Sequence, residues 1–265
     1  QAIEGQDLQQ LKKGTSDAES LTLSFYVKSN KTGTGQINLR DHDNNRLVGK
    51  TYTISSANTW EYKTLTFPAD TTGAITSDNT SGISVEIWLD SGSDCEGGAV
   101  PTTWETRNQT DRNAAGNLNI GGSTDNEFLI TGVQLEVGEQ ATPFEHRSYG
   151  EELAACQRYY QKSYPDSVSA GSVSQLGAHM VYIPATGNTF RYTLVFEDQM
   201  RANPTATFYV PETGTSGFGG YEASGDANKE SISATFLNNK SYLLYNTGMG
   251  YTGSFYWQYQ LDAEL

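Results

Sequence analysis

The stretch "ITGVQLEVGEQATPFEHRSYGEELAACQRYYQKS", Ile130 to Ser163, changes character twice. It opens as the end of a strand-like run, crosses a connector bearing Pro143, and closes in a helical pattern. Ser148-Tyr149-Gly150-Glu151 has the form of a capping box. The serine hydroxyl accepts the amide three residues on, and the glutamate reaches back to the cap amide. Glu151 and Glu152 lie at the positive end of the helix, Arg158 and Lys162 toward the negative end. Pro165 is expected to stop it. Leu153, Cys156 and Tyr160 fall at i, i+3 and i+7 and make an apolar stripe. A helix this short is marginal alone in water, so the stripe is expected to pack on something.

On both sides of this segment the pattern is β. Leu21–Ser29 alternates strictly, with Leu21, Leu23, Phe25 and Val27 on one face. "QINLRD", "RLVGKTYTI", "WEYKTLTFP", "ISVEIWLD" and "EFLITGVQLEV" follow, separated by turn residues and by a long polar loop, Ser91 to Asp125. After Pro165, "AHMVYIPA", "TFRYTLVFE", "TATFYVPE", "SISATFLN", "KSYLLYN" and "SFYWQYQLDAEL" read as further strands. Short strands without alternating helices predict an all-β chain of sandwich or jelly-roll type. The expected division is a jelly-roll-type sandwich over 1–148, a connecting helix over 149–164, and a second small β-sandwich domain over 165–265.

Composition narrows the function. The 265 residues carry 17 Lys and Arg against 31 Asp and Glu, a net charge of −14. Phosphate recognition needs clustered cations, so nucleic acid and anionic membrane are not expected partners. No apolar run is long enough for a transmembrane helix. Two cysteines, Cys95 and Cys156, make no disulfide framework and read as free thiols. "VGKTY" (Val48–Tyr52) contains the Gly-Lys-Thr of a phosphate loop. Asn44 stands where the first glycine belongs and no helix follows. The three histidines, His42, His146 and His179, have no zinc-ligand spacing, and no nucleophile elbow is present.

The phrases "IEGQDLQQLKKGTSDAESLTLSFYVKS", "ANTWEYKTLTFPADTTG" and "FLITGVQLEVGEQATPFEHRSYGEELAACQRYYQKS" resemble bacteriophage tail-fibre and related virion proteins, which carry a jelly-roll domain similar to carbohydrate-binding modules. "MRANPTATFYVPETGTSG" and the final "LDAEL" are similar to distal domains of that group. The resemblance spans most of the chain. It implies a non-enzymatic virion protein, in a tail fibre or capsid appendage, that attaches to host surface polysaccharide and contacts other virion proteins; the apolar faces of the helix add the expectation of a homotrimer, with packing between the two β domains of one subunit as the alternative. It supplies no catalytic residues. The alternatives are a structural head- or baseplate-associated protein and a glycan depolymerase. In the family pattern "IEG" lies inside the jelly roll, so the gene product is expected to extend upstream of Gln1.

Individual residues follow from these readings. Sugar sites stack pyranose faces on aromatic rings. Trp104, in the polar loop, is the exposed candidate, set against a role as a loop anchor in the core. Phe218 and Tyr221 lie in the glycine-rich stretch Gly214–Gly225, read as a contact loop. Trp60 and Trp88 fall within strands, where core or sheet-face packing accounts for them. No cofactor is required by the pattern. Ca²⁺ held by Asp41 and Asp43, or by Asp90 and Asp94, is the alternative to plain solvated turns; "DHDNN" lacks the glycine and closing glutamate of a calcium loop. Leu153, Cys156 and Tyr160 are the expected residues of the domain joint and trimer contact.

Overall fold

The computed structural model describes residues 1–116, 118–221 and 229–264, and for Phe236 and Leu237 the backbone alone. The chain is all-β, with two compact units, Gln1–His146 and Arg147–Glu264.

The strands of the first unit are β1 (Ala2–Glu4), β2 (Leu21–Ser29), β3 (Gly33–Asp41), β4 (Arg46–Ile54), β5 (Glu61–Phe67), β6 (Ser81–Trp88), β7 (Glu105–Thr106) and β8 (Phe128–Val137). They form a five-stranded sheet in the order β1-β6-β3-β4-β7 and a three-stranded sheet in the order β5-β2-β8. The alternation read in β2 is what packs them. Leu23, Phe25 and Val27 are fully buried, as are Ile37 and Leu39 of β3 and Ile83 of β6. Each such side chain stabilises the fold by about 1.5–3 kcal/mol relative to exposure. β2 and β8 keep register from Leu21↔Val137 to Ser29↔Phe128 with a bulge between Ser24 and Tyr26. Gly132, at φ +59, sits on the bulged strand, where a side chain would be strained.

A buried ionic cluster closes one end of this sandwich. Lys13 Nζ lies 2.5 Å from Asp41 and 2.9 Å from Asp70, and Arg46 pairs with both oxygens of Asp70 at 2.7 and 3.0 Å. Burial pushes the Asp70 carboxyl up, but hydrogen bonds from Arg46 and Lys13 outweigh it and hold the group below its ordinary value. Sequence reading did not find this cluster, because its members are far apart along the chain.

The second unit begins with helix α1 (Tyr149–Gln157) and strand β9 (Tyr160–Lys162). The capping box is present as read, with Ser148 N donating to Glu151 at 2.8 Å and Glu151 N to Ser148 Oγ at 3.3 Å. The extent of the helix is a correction. It ends at Gln157, well before Pro165, because the backbone at 160–162 pairs with Asp262, Leu261 and Gln260 of the C-terminal strand. Tyr160 therefore lies on a strand and Cys156 is exposed, so Leu153, Cys156 and Tyr160 share no helical stripe. No residue of α1 is buried.

The remaining strands are β10 (His179–Ile183), β11 (Phe190–Val195), β12 (Thr205–Tyr209), β13 (Phe218–Tyr221), β14 (Lys229–Ser231), β15 (Ser233–Asn238), β16 (Ser241–Asn246) and β17 (Gly253–Asp262). β17 organises the unit: β10 and β13 pair with its first half, β9 and β12 with its second. β11, β16 and β15 form a second sheet. Phe255, Trp257 and Leu261 of β17, with Phe190, Tyr242 and Leu244 of that second sheet, make an aromatic-rich core.

Candidate functional site

The first unit carries its chemistry on the outer face of the five-stranded sheet. Antiparallel register places Gln36 opposite Trp88, Asn38 opposite Glu86 and Arg40 opposite Ser84. Directly opposed residues project to the same face. With Ile37, Leu39, Ile83, Val85 and Ile87 committed to the core side, this second face of β3 and β6 is polar from Arg40 to Gln36 and ends on an indole.

The long polar loop is pinned across this face. Gln36 and Asn38 have no exposed surface, and they act as tethers. Gln36 Nε2 donates to Asp111 O at 2.8 Å, Asn38 Nδ2 to Arg112 O at 2.7 Å, and Ala115 N to Gln36 Oε1 at 3.0 Å. Gln36 Nε2 also donates to Asn38 Oδ1 at 2.7 Å. Gly49 of β4 leaves room for this amide pair, since a Cβ there would stand 2.7 Å from Asn38 Oδ1. These bonds place Arg112 over the Trp88 ring, 4.6 Å from its centroid, with Nη2 3.2 Å from Glu86. Arg40 approaches the same carboxylate at 3.8 Å. Burial lowers the pKa of Arg107, and the like charges of Arg112 and Arg40 lower it further. Burial and Arg40 lower that of His42, whose Nε2 lies 3.0 Å from Ser84 Oγ.

Beside this group an open cleft of about 610 Å³ is lined by Glu86, Trp88, Asp90, Arg112, Ile120 and Gly121 among others. The cleft brings together an indole, two carboxylates and Arg112, whose Nη1 donates to Gln109 Oε1 at 3.3 Å while Nη2 is held by Glu86. The sequence reading passed over Arg40, Glu86, Arg107 and Arg112 and treated Trp88 as packing. A signal was present: in "QINLRD" and "ISVEIWLD" the polar residues also alternate, marking a second structured face.

The residues singled out from sequence lie elsewhere. Trp104 is half-buried against the core, its Nε1 donating to Pro68 O at 2.8 Å and its ring 5.1 Å from Lys13 Nζ. It is a loop anchor, because the indole nitrogen is already satisfied and the ring roofs the ionic cluster. Phe218 and Tyr221 correct the contact-loop reading, since both lie in β13. Tyr221 is 5% exposed with its hydroxyl donating to Tyr251 O at 2.9 Å, and burial pushes its pKa up to about 12. Phe218 lies beneath Lys229 Nζ at 5.1 Å. Residues 222–225 of that glycine-rich stretch lie outside the described residues.

The aspartates do not converge. Asp41 is fully buried and accepts from Lys13 and Asn44, Asp43 accepts from Thr76 N, and Asp90 accepts from Ser91 N. Asp94 is exposed in the short turn Ser93–Cys95. Among the described residues no three His, Cys, Asp or Glu side chains are grouped to hold a metal ion. A Ca²⁺ at Asp41 would have to displace Lys13.

The second unit has an open cleft of about 680 Å³, where Leu153 and Gln157 of α1 face His179, Tyr192 and Tyr259. His179 stacks on Trp257 at 5.6 Å, and burial lowers its pKa. A separate aromatic strip, Tyr26, Trp60 and Tyr62, is exposed on the outer side of the three-stranded sheet region, with the Tyr26 and Tyr62 rings 4.9 Å apart. No helix among the described residues is long and apolar enough to cross a membrane. No protein-family model matches this chain, and no curated protein matches its sequence.

Proposed function

We propose that this chain is a bacteriophage virion appendage protein, of tail-fibre type, that attaches the particle to host surface polysaccharide. The first unit is the glycan-binding sandwich, a jelly roll similar to carbohydrate-binding modules, and the second is the distal domain. The observation that carries this reading is the cleft at Trp88, where an indole, the Glu86 and Asp90 carboxylates and the Arg112 fork face one accessible space. A protein that only binds needs aromatic area and hydrogen-bonding groups fixed in advance. Here the Gln36 and Asn38 tethers fix them. Binding proceeds without cleavage of the glycan.

Attachment by single sugar sites is weak, and repetition multiplies it. The assembly we propose is a homotrimer. Its support is α1, a nine-residue helix with no buried residue and with Tyr149 73% exposed, which leaves its outer side open to a further copy.

The test is a panel of purified bacterial capsular and O-antigen polysaccharides, incubated with the full chain and read for both binding and chain length. One or more should bind with unchanged length. Shortening of a bound polysaccharide would make the protein a depolymerase. Absence of binding across the panel and to intact host cells, with the protein located at the head or baseplate by labelled imaging, would make it structural.

A further inference from the structure

We propose that the open cleft beside α1 in the second unit binds a quaternary ammonium group of the choline type, a ligand class separate from the glycan proposed at Trp88. The cleft, of about 680 Å³, is lined by the rings of His179, Tyr192 and Tyr259 and by Leu153 and Gln157 of the helix. The rings meet at a corner. The His179 and Tyr192 centroids are 5.9 Å apart with their planes at 64°, and those of His179 and Tyr259 are 5.4 Å apart at 35°. A flat sugar face stacks best on a flat platform. Rings set at an angle suit a compact, rounded cation, which is drawn to the electron-rich faces of aromatic rings. The corner is held from behind, since His179 and Tyr192 both pack on the fully buried Trp257, at 5.6 and 5.1 Å.

Charge in the lining points to a cation as well. The ionisable groups there, besides the two tyrosines and Tyr164, are Lys162, Asp166, His179 and Glu197. Burial lowers the pKa of His179, so its imidazole is neutral at physiological pH. Lys162 is occupied by the main chain, its Nζ donating to Asp166 O at 3.1 Å and Val168 O at 2.6 Å. The two carboxylates are exposed and are held only by neutral donors. Asp166 Oδ2 accepts from the Tyr149 hydroxyl at 3.0 Å, and Glu197 Oε2 from Gln157 Nε2 at 2.5 Å. Neither forms an ion pair among the described residues, so even with Lys162 counted in full the lining keeps a net negative charge. A quaternary ammonium has no N–H to satisfy. It needs aromatic faces and nearby negative charge, and this cleft offers both.

The experiment is calorimetric titration of the full chain with choline and with its neutral isostere, in which carbon replaces the nitrogen. Choline should bind roughly tenfold more tightly than the isostere. Ethanolamine, which lacks the methyl groups that meet the rings, should bind more weakly than choline. Glu197→Gln combined with Asp166→Asn keeps acceptors for Gln157 and Tyr149 and should remove most of the preference for choline over the isostere. Tyr192→Leu should weaken choline more than the isostere. Thermal melts show whether the variants are folded; if Tyr192→Leu is not, the double variant, at two exposed positions, carries the test. Co-sedimentation with phosphatidylcholine vesicles would assign the group to a lipid, and choline binding without co-sedimentation to a free choline compound; both satisfy the inference. No saturable binding of choline, equal binding of choline and isostere, ethanolamine binding as tightly as choline, or a preference unchanged in the folded double variant would each overturn it. None of these results bears on glycan binding at Trp88, which the polysaccharide panel tests separately.

Discussion

Replacing Lys13 by Met is the sharpest probe of what holds the first sandwich together. The Lys13 side chain is 4% exposed and stands between Asp41, 0% exposed, and Asp70, 4% exposed. Methionine fills similar volume and removes the charge. Asp70 keeps its forked pair with Arg46, so its carboxylate remains compensated. Asp41 does not. Only Asn44 would remain, through its backbone N and side-chain amide, each at 3.0 Å. Leaving one buried charge without its counter-ion costs about 3–5 kcal/mol. In a domain of this size that lowers the melting temperature by on the order of 10 °C. The assay is calorimetric melting of the full chain, with the far-ultraviolet spectrum checked at low temperature. A second variant, Lys13→Met with Asp41→Asn, restores neutrality and keeps the Oδ1 acceptor for Asn44, and it should recover more than half of the loss. A Lys13→Met loss below about 1 kcal/mol, typical of a surface pair, would refute the reasoning. So would a double variant no better than the single one.

Three further outcomes follow. Trp104→Ala should cost the first unit about 2–4 kcal/mol in urea unfolding, less than a fully buried tryptophan, while leaving polysaccharide binding unchanged. Acid should act on each unit through a partly buried histidine, His42 in the first and His179 in the second, both with lowered pKa values, and on the first unit again through Asp70. The His179 pKa is lowered by burial, so its contribution is complete above 6.5 and is lost as pH falls through the lower folded value. Asp70 is also depressed, so its contribution is present above 3.8 and is lost below it as pH falls through its folded value. Melting curves should show both transitions falling as pH drops below 6.5 and the first falling further below 3.8, and His179→Phe should remove the early fall of the second transition alone. Finally, sedimentation of the full chain should report a trimer, and Leu153→Asp with Tyr149→Asp should give a folded monomer. A monomeric parent at micromolar concentration would end the assembly role proposed for α1.

What the sequence disclosed, and what it hid, divides by range of interaction. Period-two alternation is local, and β2 with its buried Leu23, Phe25 and Val27 was legible residue by residue. The capping box was legible for the same reason, since all four residues are consecutive. The end of α1 was not, because helix propensity at Tyr160–Lys162 lost to pairing with β17, a strand about a hundred residues away. Trp104 looked exposed because its neighbours are polar; its partners, Pro68 and Lys13, come from other loops. Tyr221 looked like a contact residue because glycines surround it. Those glycines instead let β13 lie close to β17, where a Cβ at Gly219 would stand 2.4 Å from the Phe255 ring. The cleft at Trp88 was half legible. Its strands and their polar alternation could be read, but the loop that lays Arg112 across the indole is fixed by Gln36 and Asn38, which nothing local marks as tethers.

The glycan site we propose lies on the outer face of the five-stranded sheet, at Trp88. The most direct measurement is a nitrogen–proton correlation spectrum of the isotope-labelled full chain, titrated with a polysaccharide fragment that binds it. The Trp88 indole and Arg112 side-chain signals should move first, together with amides of residues 86–90 and 118–121, and Trp88→Ala should abolish the response without unfolding the chain. Shifts confined to the second unit, or centred on Trp60 and Tyr62 with Trp88 unmoved, would contradict it.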